Sequence, residues 1–233
     1  MKYDWQFNER KHAGVDFSNP ELVKTYDSNH QKFRDYKKQT EQLIKALNPT
    51  SNGIVIDMGS GTGAFALNAA KYYKTIYAVD ISKAMLEYSC MRAKQEGINN
   101  IVFCQGGLLT YDHKAELANA IVCVAVLHHL PDFWKLVALK RLNKMLKPNG
   151  KLFLFDIVFP SDREDYTDSF NKLIEFMEKN VGSDFAKEAE THIRDEFSTY
   201  DWIIEEMLKR AGFSIDNKQS FDGLQCSYLC KNI

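Results

Sequence analysis

The 233-residue chain is 45% hydrophobic and 26% charged, the balance of a water-soluble globular protein with one sizeable core. Thirty basic and 31 acidic residues leave a formal charge of -1, which gives no surplus for holding nucleic acid or an anionic membrane by bulk attraction. No apolar stretch approaches the roughly 20 residues of a membrane span, and the N-terminus lacks an apolar signal region, so the expected setting is the cytoplasm. Five scattered cysteines without a C-x-x-C pair speak against a zinc-thiolate site and for reduced thiols.

Residues 1 to about 50 carry Tyr3, Trp5, Phe7, Phe17, Tyr26, Phe33 and Tyr36 and predict one helix from Asn29 to Leu47. The segment from Gly14-Val15-Asp16-Phe17 to Tyr26 and His30 mixes aromatics with acid and imidazole. Tyr26 and His30, four apart, share one face of a helix and are candidates for an acceptor-side lid.

From residue 51 to 160 short continuous apolar runs alternate with helical stripes. The runs are Ile54-Val55-Ile56, Ile76-Tyr77-Ala78-Val79, Ile101-Val102-Phe103-Cys104, Ile121 to Val126 and Leu152-Phe153-Leu154-Phe155. Continuous apolar strands are covered on both faces, so the pattern predicts a parallel α/β sheet with right-handed crossovers. Leu136, Leu139, Leu142 and Leu146 form a helical stripe that Pro148 and Gly150 should stop. Residues 161–212 read as a helical insert. Its second helix should start near Ser198-Thr199, which would cap it, should bury Trp202, and should end at Gly212. Residues 213–233 read as two strands joined at Asp222-Gly223. The whole chain is expected to form a single domain.

The most informative stretch is Asp57-Met58-Gly59-Ser60-Gly61-Thr62-Gly63-Ala64, where the first buried strand gives way to a helix. Its spacing satisfies both G-x-G-x-x-G/A and D-x-G-x-G-x-G. Asp57 weighs between them. A carboxylate beside the loop repels a dinucleotide's pyrophosphate, by roughly 4 kcal/mol for unit charges 4 Å apart at a protein-like dielectric, and attracts a cationic amino group. S-adenosylmethionine has such a group and no phosphate. Asp80, at the end of the second strand, suits ribose hydroxyls and fits either cofactor.

At these residues the sequence resembles the class I S-adenosylmethionine-dependent methyltransferases, of the small-molecule kind with a methyltransferase-11/25-like domain. The resemblance rests on Asp57 to Gly63, on Val79-Asp80-Ile81-Ser82-Lys83-Ala84-Met85, on Leu127-His128-His129-Leu130 and on Leu146-Lys147-Pro148-Asn149-Gly150. It implies a Rossmann-like, doubly wound seven-stranded sheet in the order 3-2-1-4-5-7-6 with strand 7 antiparallel. It also implies that Asp57 and the loop of Gly59, Ser60, Gly61 and Gly63 face the methionine part, that Asp80 takes the ribose, and that Ile81 and Met85 flank the adenine. Gly107, Leu108, Val124 and Ala125 complete the cofactor set. Two departures stand out. Gln105-Gly106-Gly107-Leu108 lacks the Gly-Asp pair whose acid takes the adenine amino group in many relatives, and Ala118-Asn119-Ala120 replaces Phe-Asp.

Methyl transfer from a sulfonium needs alignment and water exclusion more than a catalytic group. The candidates at strand ends are His128 and His129, as a base or as loop-closing hydrogen bonds, and Asp156, which is free to orient a substrate or to pair with an arginine such as Arg194. The expected partner is a small-molecule acceptor, with no nucleic acid, membrane or metal. The alternatives are an NAD(P)-dependent oxidoreductase and a catalytically inactive S-adenosylmethionine-binding protein acting through a partner.

Overall fold

The computed structural model describes residues 5–11, 19–30, 35–162, 165–221 and 224–233, without the side chains of residues 29 and 30. In chain order the elements are α1 (Pro20–His30), α2 (Tyr36–Leu47), β1 (Ile54–Met58), α3 (Ala64–Ala69), β2 (Thr75–Asp80), α4 (Lys83–Gln95), β3 (Ile101–Gln105), β4 (Ala118–Val124), α5 (Asp132–Met145), β5 (Leu146–Phe159), α6 (Thr167–Asn180), α7 (Ser183–Asp195), β6 (Thr199–Tyr200), α8 (Asp201–Arg210), β7 (Phe213–Phe221) and β8 (Gln225–Asn232).

The sheet runs β3-β2-β1-β4-β5-β8-β7, with the two-residue β6 beside the end of β5. With β6 set aside, this is the expected order 3-2-1-4-5-7-6. β1 to β5 pair in parallel, whereas β8 runs antiparallel to both β5 and β7. β1 is buried at every position because helices cover both faces of the sheet there. One core layer sets Ile56, Ile121 and Leu154 against Leu139, Leu142 and Leu208. The other sets Val55, Ile76 and Val122 against Leu43, Phe65 and Tyr73.

Local chemistry moves several boundaries. The single helix expected from Asn29 to Leu47 is instead two, because Asp35, in extended conformation, caps α2 by accepting the Lys38 N–H at 3.0 Å. α5 stops at Met145, so Leu146 leaves the expected helical stripe and opens β5 opposite Ala118. Asn149, at φ +61°, takes the left-handed turn position, not Gly150. Ser198 and Thr199 do not cap α8. Thr199 lies in β6 and donates to Asp132 Oδ2 at 3.2 Å, while Ser198 contacts His192. Trp202 is exposed, not core. The expected turn at Asp222-Gly223 lies outside the described residues, but Phe221 pairs with Gln225 on either side of it.

Candidate active site

The carboxyl ends of β1, β2 and β4 open onto one pocket, as expected of a parallel sheet whose strand order reverses at β1. Its floor is the turn from β1 into α3. Gly59 sits at φ +74° and approaches Val126 so closely that a Cβ would come within 2.2 Å of the valine methyl. Gly63, at φ +83°, is the N-terminal cap of α3, and a Cβ there would meet Ser89 Oγ at 2.1 Å. Gly59 therefore shapes the pocket floor, while Gly63 lets α3 pack against α4 and lies outside the lining.

Asp57, Gly59, Ser60, Gly61, Asp80, Ile81, Met85, Gly107, Leu108, Val124, Ala125 and His129 all line this pocket, and so does Tyr26. The expected cofactor residues are thus brought together, Gly63 excepted. Asp57 is 4% exposed, and its Oδ2 is buried without a hydrogen-bond partner. Burial, reinforced by the Asp80 charge, raises its pKa to about 7 against a smaller opposing effect of the Ala66 backbone N–H. Ser60 Oγ is also buried and unpartnered. Asp80 is anchored at both oxygens: Oδ2 accepts the Gly61 N–H at 2.7 Å and Oδ1 accepts the Ser82 N–H at 2.8 Å. It thus fixes the glycine turn to the end of β2. Ala125 holds φ +56°, uncommon for alanine, while its N–H donates to the Phe155 carbonyl at 2.8 Å.

Two N-terminal features close the pocket. α1 is fastened to the turn by Asp27, which accepts from Thr62 Oγ1 at 2.6 Å and from Arg92 Nη1 at 2.6 Å. Glu9 reaches across the chain to the segment after β3. Its Oε2 accepts the Leu109 N–H at 3.0 Å and its Oε1 accepts the Thr110 hydroxyl at 2.5 Å. A Cβ on Gly107 would stand 2.5 Å from the Glu9 carboxylate, so glycine is what admits it. Glu9 lines the pocket beside Gly106, Gly107 and Leu108, where the sequence lacks the usual acid. Sequence reading missed Glu9 because it sits in an aperiodic stretch about a hundred residues from its partners. Of the lid candidates, Gly14, Val15, Asp16, Phe17 and the His30 side chain lie outside the described residues.

His128 and Asp156 are buried behind the pocket wall and do not line it. His128 Nδ1 bonds Asp156 Oδ1 at 2.5 Å, while Asp156 Oδ2 accepts the N–H groups of Leu127 and His128 at 2.7 and 3.2 Å. Burial opposes the charged imidazole, but the Asp156 charge and bond, with Glu196, carry His128 above its ordinary range. Burial likewise opposes the charged carboxylate, but His128 holds Asp156 below its own. Arg194 does not reach Asp156 and pairs with Asp195 instead.

Over residues 55–150 the chain matches the family described as "Methyltransferase domain". It is 27% identical over 155 residues to the uncharacterized methyltransferase YcgJ of Bacillus subtilis, covering 64% of this chain and 60% of that protein. It is 25% identical over 198 residues to the demethylmenaquinone methyltransferase of Staphylococcus saprophyticus, covering 82% and 83%. A solved S-adenosylmethionine-dependent methyltransferase from Clostridium acetobutylicum superposes with a TM-score of 0.68 at 16% identity, over 91% of this chain and 98% of that one; this likeness speaks for the fold alone. The matched stretch makes residues 55–150 similar to a methyltransferase domain, and the sheet order and the glycine turn between two strand-end acids agree with that likeness.

Proposed function

We propose that the protein transfers a methyl group from S-adenosylmethionine to a small-molecule acceptor with a substantial apolar surface. The carrying observation is Asp57 Oδ2, a buried carboxylate oxygen without a partner in the pocket. An isolated buried carboxylate is costly, and a ligand ammonium group is the complement that relieves the cost. A pyrophosphate would worsen it.

In this reading Asp57 and Ser60 take the amino-acid end of the donor. Asp80 accepts the ribose hydroxyls, and Ile81, Met85 and Leu108 flank the adenine. Glu9 accepts the adenine amino group, supplying from the N-terminal segment the acid missing after β3. The bound donor supplies an activated methyl group, so the remaining work is orientation and dehydration. Tyr26, Tyr36, Leu43, Phe65, Val126 and Leu130 line the same pocket and supply an apolar, partly aromatic wall for the acceptor. α1, held by Asp27, acts as the lid that keeps water out. His129 is the imidazole on the pocket wall.

The test is thermal unfolding of the purified chain with S-adenosylhomocysteine and, separately, with NAD(H). Stabilisation by the first alone is expected, rising with the logarithm of ligand concentration over Kd. Stabilisation by NAD(H) alone would overturn the reading in favour of an oxidoreductase. Tight donor binding without methyl transfer to any of a wide range of apolar acceptors would favour a binding protein.

A further inference from the structure

Behind the pocket wall, three imidazoles and two carboxylates meet where β4 and α7 end beside β5. His128 and His129 lie in the single 3-10 turn after β4, Asp156 stands on β5, His192 is in the last turn of α7, and Glu196 directly follows that helix. The mechanism above uses none of these except His129. From their geometry we infer a binding site for a transition-metal dication of the zinc class, with His128 Nε2, His129 Nδ1 and the Glu196 carboxylate as ligands.

The donor atoms of these three residues all lie within 4.8 Å of one another. His128 Nε2 stands 3.3 Å from Glu196 Oε2, and His129 Nδ1 stands 3.8 Å from Glu196 Oε1. A tetrahedral ion with bonds of about 2.0–2.1 Å requires donors about 3.3 Å apart, so small side-chain adjustments close the set. Glu196 is nine-tenths buried, and His128 Nε2 and His192 Nδ1 both converge on its Oε2. Convergence of imidazole nitrogens and a buried carboxylate on one point is an arrangement a metal ligand set presents.

Asp156 provides the second observation. Its bond to His128 Nδ1 fixes the ring's orientation and leaves Nε2 directed at Glu196. Metal-bound histidines are held in this way by a carboxylate on the opposite nitrogen. Asp156 and His192 are positioning residues: the first turns His128, and the second contacts Glu196 while its Nε2 rests on Ser198 Oγ at 3.1 Å. The nearby Lys135 ammonium is engaged by Asp132 and by the Phe197 carbonyl, so it is a poor substitute for the cation. Two imidazoles with one carboxylate suit zinc, cobalt or nickel better than magnesium or calcium, which take oxygen ligands. The ion would pin the end of α7 to the turn after β4, across a junction now joined by the Phe197 N–H to the His128 carbonyl at 3.0 Å. Because His129 also faces the pocket, the pin would set the acceptor-side wall.

The site is tested on the full chain after chelator treatment, without reference to methyl transfer. Calorimetric titration with zinc chloride is expected to show one ion per chain, and cobalt chloride to give the intense visible bands of a four-coordinate centre. Glu196→Gln and His129→Asn should each weaken zinc binding at least tenfold, and Asp156→Asn by roughly 10- to 100-fold. His113→Asn, away from the cluster, should leave it unchanged. Circular dichroism identifies which variants are folded, and those carry the comparison. Absence of stoichiometric zinc binding by the unaltered chain overturns the inference, as does binding that survives in a folded Glu196→Gln or His129→Asn variant. Failure here leaves the S-adenosylhomocysteine test above untouched, since that ligand contacts a different set of residues.

Discussion

The two walls of the pocket are built on different principles. The donor side stands on β1, β2 and β4, whose positions around Asp57 and Asp80 are almost wholly buried and whose turn is fixed by backbone hydrogen bonds to Asp80. The acceptor side is made of helices laid against it. Among the described residues α1 buries Val23, and α2 buries Thr40, Leu43 and Leu47. The first wall is set by the sheet, so its geometry depends little on any single side chain outside the turn. The second is held by a few polar fastenings such as Asp27–Arg92 and Glu9–Leu109, and it can be loosened one contact at a time.

The sharpest break of the donor wall is Gly59→Ala. A Cβ in the left-handed conformation pressed against Val126 should cost about 2–4 kcal/mol of folding stability, measured by urea unfolding, and abolish donor binding. Next comes Asp57→Asn, which should reduce S-adenosylhomocysteine affinity by about 10- to 100-fold, the value of a hydrogen bond to a charged group. It should also remove a pH dependence. With a folded pKa of about 7, Asp57 ionises as pH rises, so affinity for a ligand ammonium group should increase between about pH 6 and 7.5 in the unaltered protein and stay flat in the variant. The sign for folding is opposite. A carboxyl whose pKa is raised on folding stabilises the unliganded fold fully below about pH 4, and that contribution is lost as pH rises toward 7. Calorimetry across the range checks the first, and unfolding midpoints check the second.

The helical wall should respond more gently. Glu9→Ala removes the carboxylate that accepts from Leu109 and Thr110, and should weaken adenosine and S-adenosylhomocysteine by a similar factor of about ten, because the lost contact is at the adenine end. A larger loss for the amino-acid end would refute that placement. Arg92→Ala releases one side of Asp27 in a partly exposed pair, so the expected cost in stability is about 1 kcal/mol or less. Faster amide exchange in α1 with unchanged exchange in β1 would show the lid loosening while the sheet stays intact.

The contrast also explains what could be read in advance. β1, β2 and β4 announced themselves as continuous apolar runs because both their faces are largely covered, whereas β3 shows the same run although it is a sheet edge with no fully buried position. The acceptor wall gave weaker signals. Glu9 lies in a segment without periodicity, and its role exists only because the chain returns to Leu109. His192 and Glu196, four apart at the end of an amphipathic helix, look like a solvated charge pair until His128 is brought against them. Likewise, Ser198 and Thr199 have the chemistry of a helix cap, but the strand pairing of Thr199 with Val158 draws them away from that role. Trp202 reads as core by type, yet it stays exposed on α8.

The sequence by itself determined the alternation of strand and helix and the glycine turn between Asp57 and Asp80, and hence the resemblance to methyltransferases, because these depend on local periodicity and on backbone conformations that only glycine takes easily. Tertiary structure decided which distant side chains complete the pocket: Glu9 beside Gly107, Asp27 on the turn, and Glu196 against His128. Such contacts join residues tens to about a hundred positions apart. Their energies come from burial and charge pairing in the folded state, and neither leaves a local pattern in the chain.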